Sequence, residues 1–341
     1  MKTTKRERVI SALNHKDTDI VPYDFGFTSQ SHMRMVEFSG DPNYGSNSGY
    51  HISQYQYWGW PTELPGQPEL FLDDFGVTWD RSGADKDIGV IQTPLIPDIE
   101  NHNYTAPSID EQRLRKEMEE LMLSRDDRFV FAGIGFSVFE RIWSLCGMEN
   151  TLMGMMTNAK EVDDLLDIIV DRNLKILDIM LEYDIDGVYF GDDWGQQKGM
   201  IMGPVHWRRF IKPQMKRMYE RVKQADKFIA LHSCGDIGEV FADLIEIGLD
   251  CYQTFQPEIY DIETVKREYG AHLSFWGGIS TQQLLPVATP EGVRDETIRI
   301  MKIMSKNGGF IAAPTHAIPQ DVPPENIEAM IDVFMNQDKY M

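Results

Sequence analysis

From Phe129 onward the chain repeats one pattern: a short apolar run that ends in glycine or a polar residue, then a longer stretch with helical period. Six such runs are Phe129–Gly133, Gly187–Gly191, Phe228–Leu231, Cys251–Phe255, His272–Gly277 and Gly309–Ala313. Uninterrupted apolar runs of this length predict strands buried on both faces. The intervening segments predict helices over 139–145, 160–183, 204–225, 238–247, 262–269, 290–306 and 324–335. Strand and helix in strict alternation require parallel pairing with crossover helices. Further strand-like residues lie at 20–23, 70–80 and 88–93, and a total of eight or nine favours a closed (β/α)8 TIM barrel over an open sheet. No Gly-x-Gly-x-x-Gly follows a strand, which counts against a dinucleotide fold.

The N-terminal part is less regular. Residues 4–14 predict an amphipathic helix and 110–123 another, with Asp110 as its cap and Leu114, Met118, Leu121 and Met122 on one face. Between them, 29–68 is rich in Gly, Ser, Asn, Tyr and Trp, and reads as an irregular, lid-like insertion on a single barrel domain spanning 1–341. The 341 residues carry a formal charge of −21, which sets the chain against nucleic acid and anionic membranes. Three scattered cysteines form no disulfide framework and the N-terminal segment Met1–Arg8 has no apolar core, so a cytoplasmic location is expected. No apolar run approaches the length of a membrane span.

In a barrel of this kind the chemistry sits where strands end. Those ends carry Asp24, Glu140, Asp192-Asp193, His232-x-Cys234, Gln253, Gln256, Trp276 and His316. His232 and Cys234 stand two apart on extended chain, so both side chains point one way and can grip one ion. His316 follows the last strand and can supply a third ligand to the same mouth from the opposite rim, or bond to backbone in its proline-rich turn. The expected metal set is His232, Cys234 and His316, with zinc as the expected ion. Asp192, Asp193 and Glu140 are the expected acid–base groups. Asp24, Gln253, Gln256, Trp276 and Trp58 are the expected substrate contacts, although aromatics in such a pattern are more often core.

Several segments together resemble the uroporphyrinogen decarboxylase superfamily, and within it the zinc-dependent, corrinoid-linked methyltransferase branch. They are Arg6-Glu7-Arg8-Val9, Phe139-Glu140-Arg141, Gly191-Asp192-Asp193, Phe210-Ile211-Lys212-Pro213, His232-Ser233-Cys234-Gly235, Trp276-Gly277-Gly278-Ile279 and Pro323-Pro324-Glu325-Asn326-Ile327. The resemblance implies a (β/α)8 barrel, bound zinc, and a partner protein that carries a corrinoid. True decarboxylases have an Arg-Gln-Ala-Gly-Arg segment for the porphyrinogen carboxylates. Here the matching residues are Asp24-Phe25-Gly26-Phe27-Thr28-Ser29-Gln30, without arginine, which removes that substrate. The coenzyme M branch has a cysteine where His316 stands. One thiolate fewer leaves the zinc harder, better suited to polarising oxygen or nitrogen than to activating a thiol.

The reading is a zinc-dependent methyltransferase that moves a methyl group from a small methylated substrate, O-methyl before N-methyl, to a corrinoid protein. A homodimer is compatible with it. The alternatives are a corrinoid-independent metal-dependent lyase, decarboxylase or hydrolase on a small acid, then a thiol methyltransferase, and last a barrel that only binds a partner.

Overall fold

A computed structural model of the chain describes residues 3–45, 48–83 and 88–341. Residues 1–2 of the charged N-terminal segment and 46–47 of the 29–68 stretch lie outside the described residues. Seven parallel strands form one curled sheet: β1 (Ile52–Tyr57), β2 (Phe129–Ile134), β3 (Gly187–Gly191), β4 (Phe228–His232), β5 (Cys251–Phe255), β6 (Ser274–Ile279) and β7 (Phe310–Pro314). Neighbours in the sheet are neighbours in that order, as right-handed βα units require. The gap between β7 and β1 is spanned by residues 22–24. Asp24 N–H donates to Ala312 O and Ala312 N–H to Pro22 O, while His51 N–H donates to Tyr23 O on the other side. Tyr23 makes only an isolated parallel bridge to Ala312, so the strand expected at 20–23 is a closure point and not a full strand. The architecture is TIM-barrel-like.

Two cores follow from the alternation of side chains along each strand. The inward set fills the barrel: Ile52, Phe129, Phe131, Tyr189, Ala230, Cys251, Trp276, Ile311 and Ala313. Val9 and Leu13 plug it from below. They come from the helix Lys5–Leu13, whose start is fixed by a capping box between Thr4 and Glu7. The outward set packs against the helical ring and forms the larger core. Both faces of β2, β3, β5, β6 and β7 are buried, which is why these segments read as unbroken apolar runs.

The N-terminal third differs from the sequence reading in three places. The stretch 29–68 contains a regular helix, Ser29–Ser39, with Thr28 accepting from Ser31 N–H at its start and left-handed Gly40 at its end. It also contains β1, a barrel strand. The sequence Ile52-Ser53-Gln54-Tyr55-Gln56-Tyr57 lacks an apolar run because Gln54 and Gln56 face the mouth of the barrel. Residues 70–80 are not one strand. Gln67–Leu72 and Thr78–Asp80 lie in an antiparallel four-stranded sheet with Thr62–Leu64 and Val90–Ile91, outside the barrel.

That outer sheet is anchored by a buried ionic network. Arg141 Nη1 pairs with Asp73 Oδ2 at 2.6 Å, and Arg172 Nη2 with Asp74 Oδ2 at 2.6 Å. The two guanidinium groups lie over Phe75 at 3.9 and 4.2 Å from its centroid. Among the described residues no helix is long and apolar enough to cross a membrane.

Candidate metal centre and its cavity

Strand register builds the site. His232 at the end of β4 is paired with Gly191 of β3 on one side and Gln253 of β5 on the other. Residues in register on parallel strands face the same way, so the His232 ring and the Gln253 amide meet. The Gln253 carbonyl oxygen accepts from His232 Nδ1 and, at 2.7 Å, from the Tyr189 hydroxyl. With its Nδ1–H donating, His232 presents Nε2 as the free ligand nitrogen. Gly191 leaves room for the Gln56 amide: a Cβ there would lie 3.0 Å from Gln56 Nε2.

Beyond His232 the chain turns sharply. Gly235 has φ 79°, and a Cβ on it would meet the Gly195 backbone at 2.3 Å, so the two loops cross at van der Waals contact only because both are glycine. The turn puts Cys234 Sγ 3.4 Å from His232 Nε2. His316 comes from the loop after β7, its ring centroid 5.8 Å from that of His232. The ligand atoms of His232, Cys234 and His316 all lie within 4.8 Å of one another.

These residues fit zinc. Tetrahedral bonds of about 2.1 Å to nitrogen and about 2.3 Å to sulfur put donors about 3.4–3.6 Å apart. The His232–Cys234 edge already has that length, and exposed His316 has the rotamer freedom to close the remaining distance, on the order of 1 Å. Burial, with Asp193 adding to it, pushes the Cys234 thiol well up. A bound cation reverses that, because a coordinating thiol gives up its proton.

Asp192 and Asp193 leave β3 in opposite directions. Asp193 faces the cavity: its Oδ1 accepts from Cys234 N–H at 2.8 Å and lies 3.5 Å from His232 Nε2. Asp192 is fully buried and does not line the cavity. Its carboxylate accepts from the backbone N–H of Val138, Phe139 and Glu140 at 3.1, 2.9 and 2.8 Å, and from Trp194 Nε1 at 2.6 Å. It caps the helix Phe139–Cys146, which has no cap of its own. Of the three carboxyl groups expected as acid–base groups, Asp192 is thus the one the structure places at a helix start and off the cavity. Burial still pushes its carboxyl up to about 6, against the lowering effect of those four donors.

Gln256, expected as a substrate contact, is likewise placed off the cavity. It is buried and accepts from Gly235 N–H at 3.1 Å, holding the ligand turn. Gln253 does line the cavity, but its carbonyl is committed to His232 and Tyr189. Trp276 is almost wholly core: it stacks on Phe131 at 5.8 Å and shows only its upper edge as floor.

The cavity has a volume of about 250 Å³ and opens at the C-terminal end of the strands. Asp24, Glu140 and Asp193 bring three carboxylates to its wall, and Trp58 lies across one side over Gly135. Burial raises Asp24 to about 7. Burial, then Asp193 and Asp192, raise Glu140 well above the carboxylate range. Residue-by-residue reading missed Gln54, Gln56, Phe25, Phe136 and Tyr189 as lining groups. The alternation Gln54-Tyr55-Gln56-Tyr57 is the sequence signal for the glutamines, because alternate residues of a strand share a face.

The profile of the uroporphyrinogen decarboxylase family matches residues 76–336. No curated protein sequence matches the chain. Among solved structures, a methyltransferase from Methanosarcina mazei aligns over 100% of both chains with TM-score 0.75 and 17% identity. A β-(1,4)-mannanase from Podospora anserina aligns over 97% of this chain and 64% of its own, at TM-score 0.45 and 9% identity. A 3-keto-D-glucoside 4-epimerase from E. coli covers 66% of this chain and 85% of its own, at TM-score 0.39 and 11% identity. The first likeness is one of fold, and the other two carry no weight.

Proposed function

The chain belongs to the uroporphyrinogen decarboxylase family, and from that premise we propose that it is a zinc-dependent methyltransferase acting on a small O- or N-methylated substrate. One observation carries the reading: the ligand atoms of His232, Cys234 and His316 lie within 4.8 Å of one another at the C-terminal mouth of the barrel, the two histidines lining its cavity. The Methanosarcina mazei protein, a methyltransferase of the same fold, supports it. The arginine-bearing loop of the porphyrinogen enzymes has no counterpart here, which removes decarboxylation of that polycarboxylate.

His232 Nε2, Cys234 Sγ and His316 would hold the zinc. When bound, the ion supplies Lewis-acid polarisation of a substrate heteroatom. The protein groups do the rest. Gln253 and Tyr189 hold the His232 ring in its ligating orientation. Asp193 braces the Cys234 backbone, and with Glu140 is placed to hold or move a proton at the cavity wall. Trp58, Tyr189 and the edge of Trp276 line the space in which the methyl group would be held for in-line attack. A corrinoid carried on a separate protein is the proposed acceptor, approaching through the open mouth. The whole chain acts as one barrel domain.

Metal analysis of the purified protein is expected to give about one zinc per chain. Cys234→Ser is expected to lose the zinc and the methyl transfer to a reduced corrinoid protein while remaining folded. Undiminished transfer by chelator-stripped, metal-free protein would overturn the reading.

A further inference from the structure

The inward face of β1 departs from the barrel core. It begins with Ile52, a core residue, and then turns Gln54 and Gln56 to the cavity. On β2 the residue in register with Gln54 is Phe131, which belongs to the core. A primary amide carries two N–H donors and an acceptor oxygen, and an apolar wall satisfies none of them. At an inward position those bonds go to whatever fills the cavity. Gln56 is seated by two glycines. A Cβ on Gly191 would lie 3.0 Å from Gln56 Nε2, and one on Gly135 would lie 3.4 Å from it. Gly191 is in register with His232 on the next strand. The empty side-chain position at 191 therefore sets the amide about one strand spacing, about 4.8 Å, from the column that carries the metal ligand.

The neighbouring groups extend this uncharged wall. Asp24 and Glu140 line the same cavity, and burial raises Asp24 to about 7 and Glu140 well above the carboxylate range. Below neutrality both present O–H and C=O rather than a charge. A hydroxyl suits such a wall. It donates and accepts through one atom, so it satisfies an amide presented by either edge. A charged group of either sign finds no ion pair in a glutamine and gives up its hydration to reach it.

We propose that Gln56, backed by Gln54, is the specificity wall of the cavity and hydrogen-bonds an uncharged hydroxyl that the substrate carries a few carbons from the heteroatom facing the metal. The substrate class is then a hydroxylated methyl ether or a hydroxylated N-methyl amine, each with a lone pair for zinc. The proposal rests on the methyltransferase reading for the metal and the methyl group. The choice of a hydroxyl rests on β1.

Four thiols of similar reach test it, by calorimetric titration of the full-length zinc-loaded protein: 3-mercapto-1-propanol, 1-butanethiol, 3-amino-1-propanethiol and 3-mercaptopropionate. In each the sulfur offers zinc a lone pair, and only the far group changes. The alcohol is expected to bind at least about tenfold tighter than butanethiol, which has a methyl in place of the hydroxyl, and tighter than both charged members. Gln56→Met keeps the shape of the side chain, removes the amide, and is expected to abolish that preference with zinc content unchanged. Gln54→Met is expected to shrink it. Gly191→Ala, which pushes the Gln56 amide aside without altering it, is expected to narrow it too. Butanethiol binding as tightly as the alcohol overturns the proposal. So does a charged member that binds tightest, or a preference that survives in Gln56→Met. The two readings fail separately. Thiols that bind the zinc with no preference for the alcohol remove the hydroxyl site and leave the methyltransferase. A hydroxyl preference without methyl transfer from any donor does the reverse. A protein whose zinc takes none of the four thiols loses both.

Discussion

At the level of single residues, the informative contact is the one between His232 and Gln253. A histidine offers two nitrogens, and a metal needs one of them free and aimed. The Gln253 carbonyl takes Nδ1 and is itself held by Tyr189, so the free nitrogen is Nε2, on the side of Cys234. Partners of this kind are worth about 10–100-fold in metal affinity. Gln253→Leu is expected to weaken zinc binding by about that factor, and Gln253→Glu, which keeps an acceptor in place, to retain or tighten it. Competition against a chromogenic chelator reads both. A leucine variant with unchanged zinc affinity would show that packing alone fixes the ring. None of this orientation can be seen in the sequence, where Gln253 is one polar residue in an apolar strand. It follows only from the register that sets β4 against β5.

Elements decide which of two neighbouring carboxylates reaches the cavity. Asp192 and Asp193 are indistinguishable as letters after an apolar run. As residues leaving a strand they point to opposite sides. One enters the cavity, while the other ends under the helix Phe139–Cys146 and satisfies three of its orphan N–H groups. Asp192→Ala strands those donors in a buried place, and is expected to cost about 2–4 kcal/mol. Asp193→Ala is expected to cost much less. Urea unfolding of the two variants checks the contrast, and equal losses would contradict it. The same logic marks what was legible in the chain. Strands buried on both faces, such as β2 and β3, announce themselves as apolar runs, and the ends of β3, β4 and β7 deliver Asp193, His232, Cys234 and His316 to one mouth. β1 stayed hidden because its inward face carries Gln54 and Gln56 for the cavity. The closing segment at Tyr23 makes too few ladder bonds to be a strand at all. Where function replaces apolar residues or closure shortens pairing, the sequence pattern is lost for a physical reason.

For the molecule as a whole, the balance of buried and surface carboxylates sets the response to pH. Asp24 goes from an ordinary 3.8 to about 7, and Asp192 to about 6, both because burial disfavours the charged form. Between about pH 4 and 7 the folded chain holds protons that the unfolded chain has released, so stability falls as pH rises through that window. Asp24 alone accounts for up to about 4 kcal/mol of that fall, since a carboxyl raised by one pH unit changes stability by about 1.4 kcal/mol. Surface carboxylates act in the opposite sense. The Arg8 guanidinium holds Asp19 below its usual range, and Arg125 does the same for Asp184. Their stabilisation is present above about pH 4 and is lost as pH falls below it. The formal charge of −21 adds self-repulsion on the alkaline side. A stability maximum on the acid side of neutrality follows, at about pH 5. Chelator-stripped protein, in which metal loss cannot intrude, is expected to melt several degrees higher at about pH 5.5 than at about pH 8. In Asp24→Asn, which has no proton to lose, that difference is expected to narrow, through a higher melting temperature at the alkaline end. A wild-type melting temperature that rises across the same interval would mean that Asp24 is charged in the folded protein at neutral pH, and that its counter-charge comes from the chain itself.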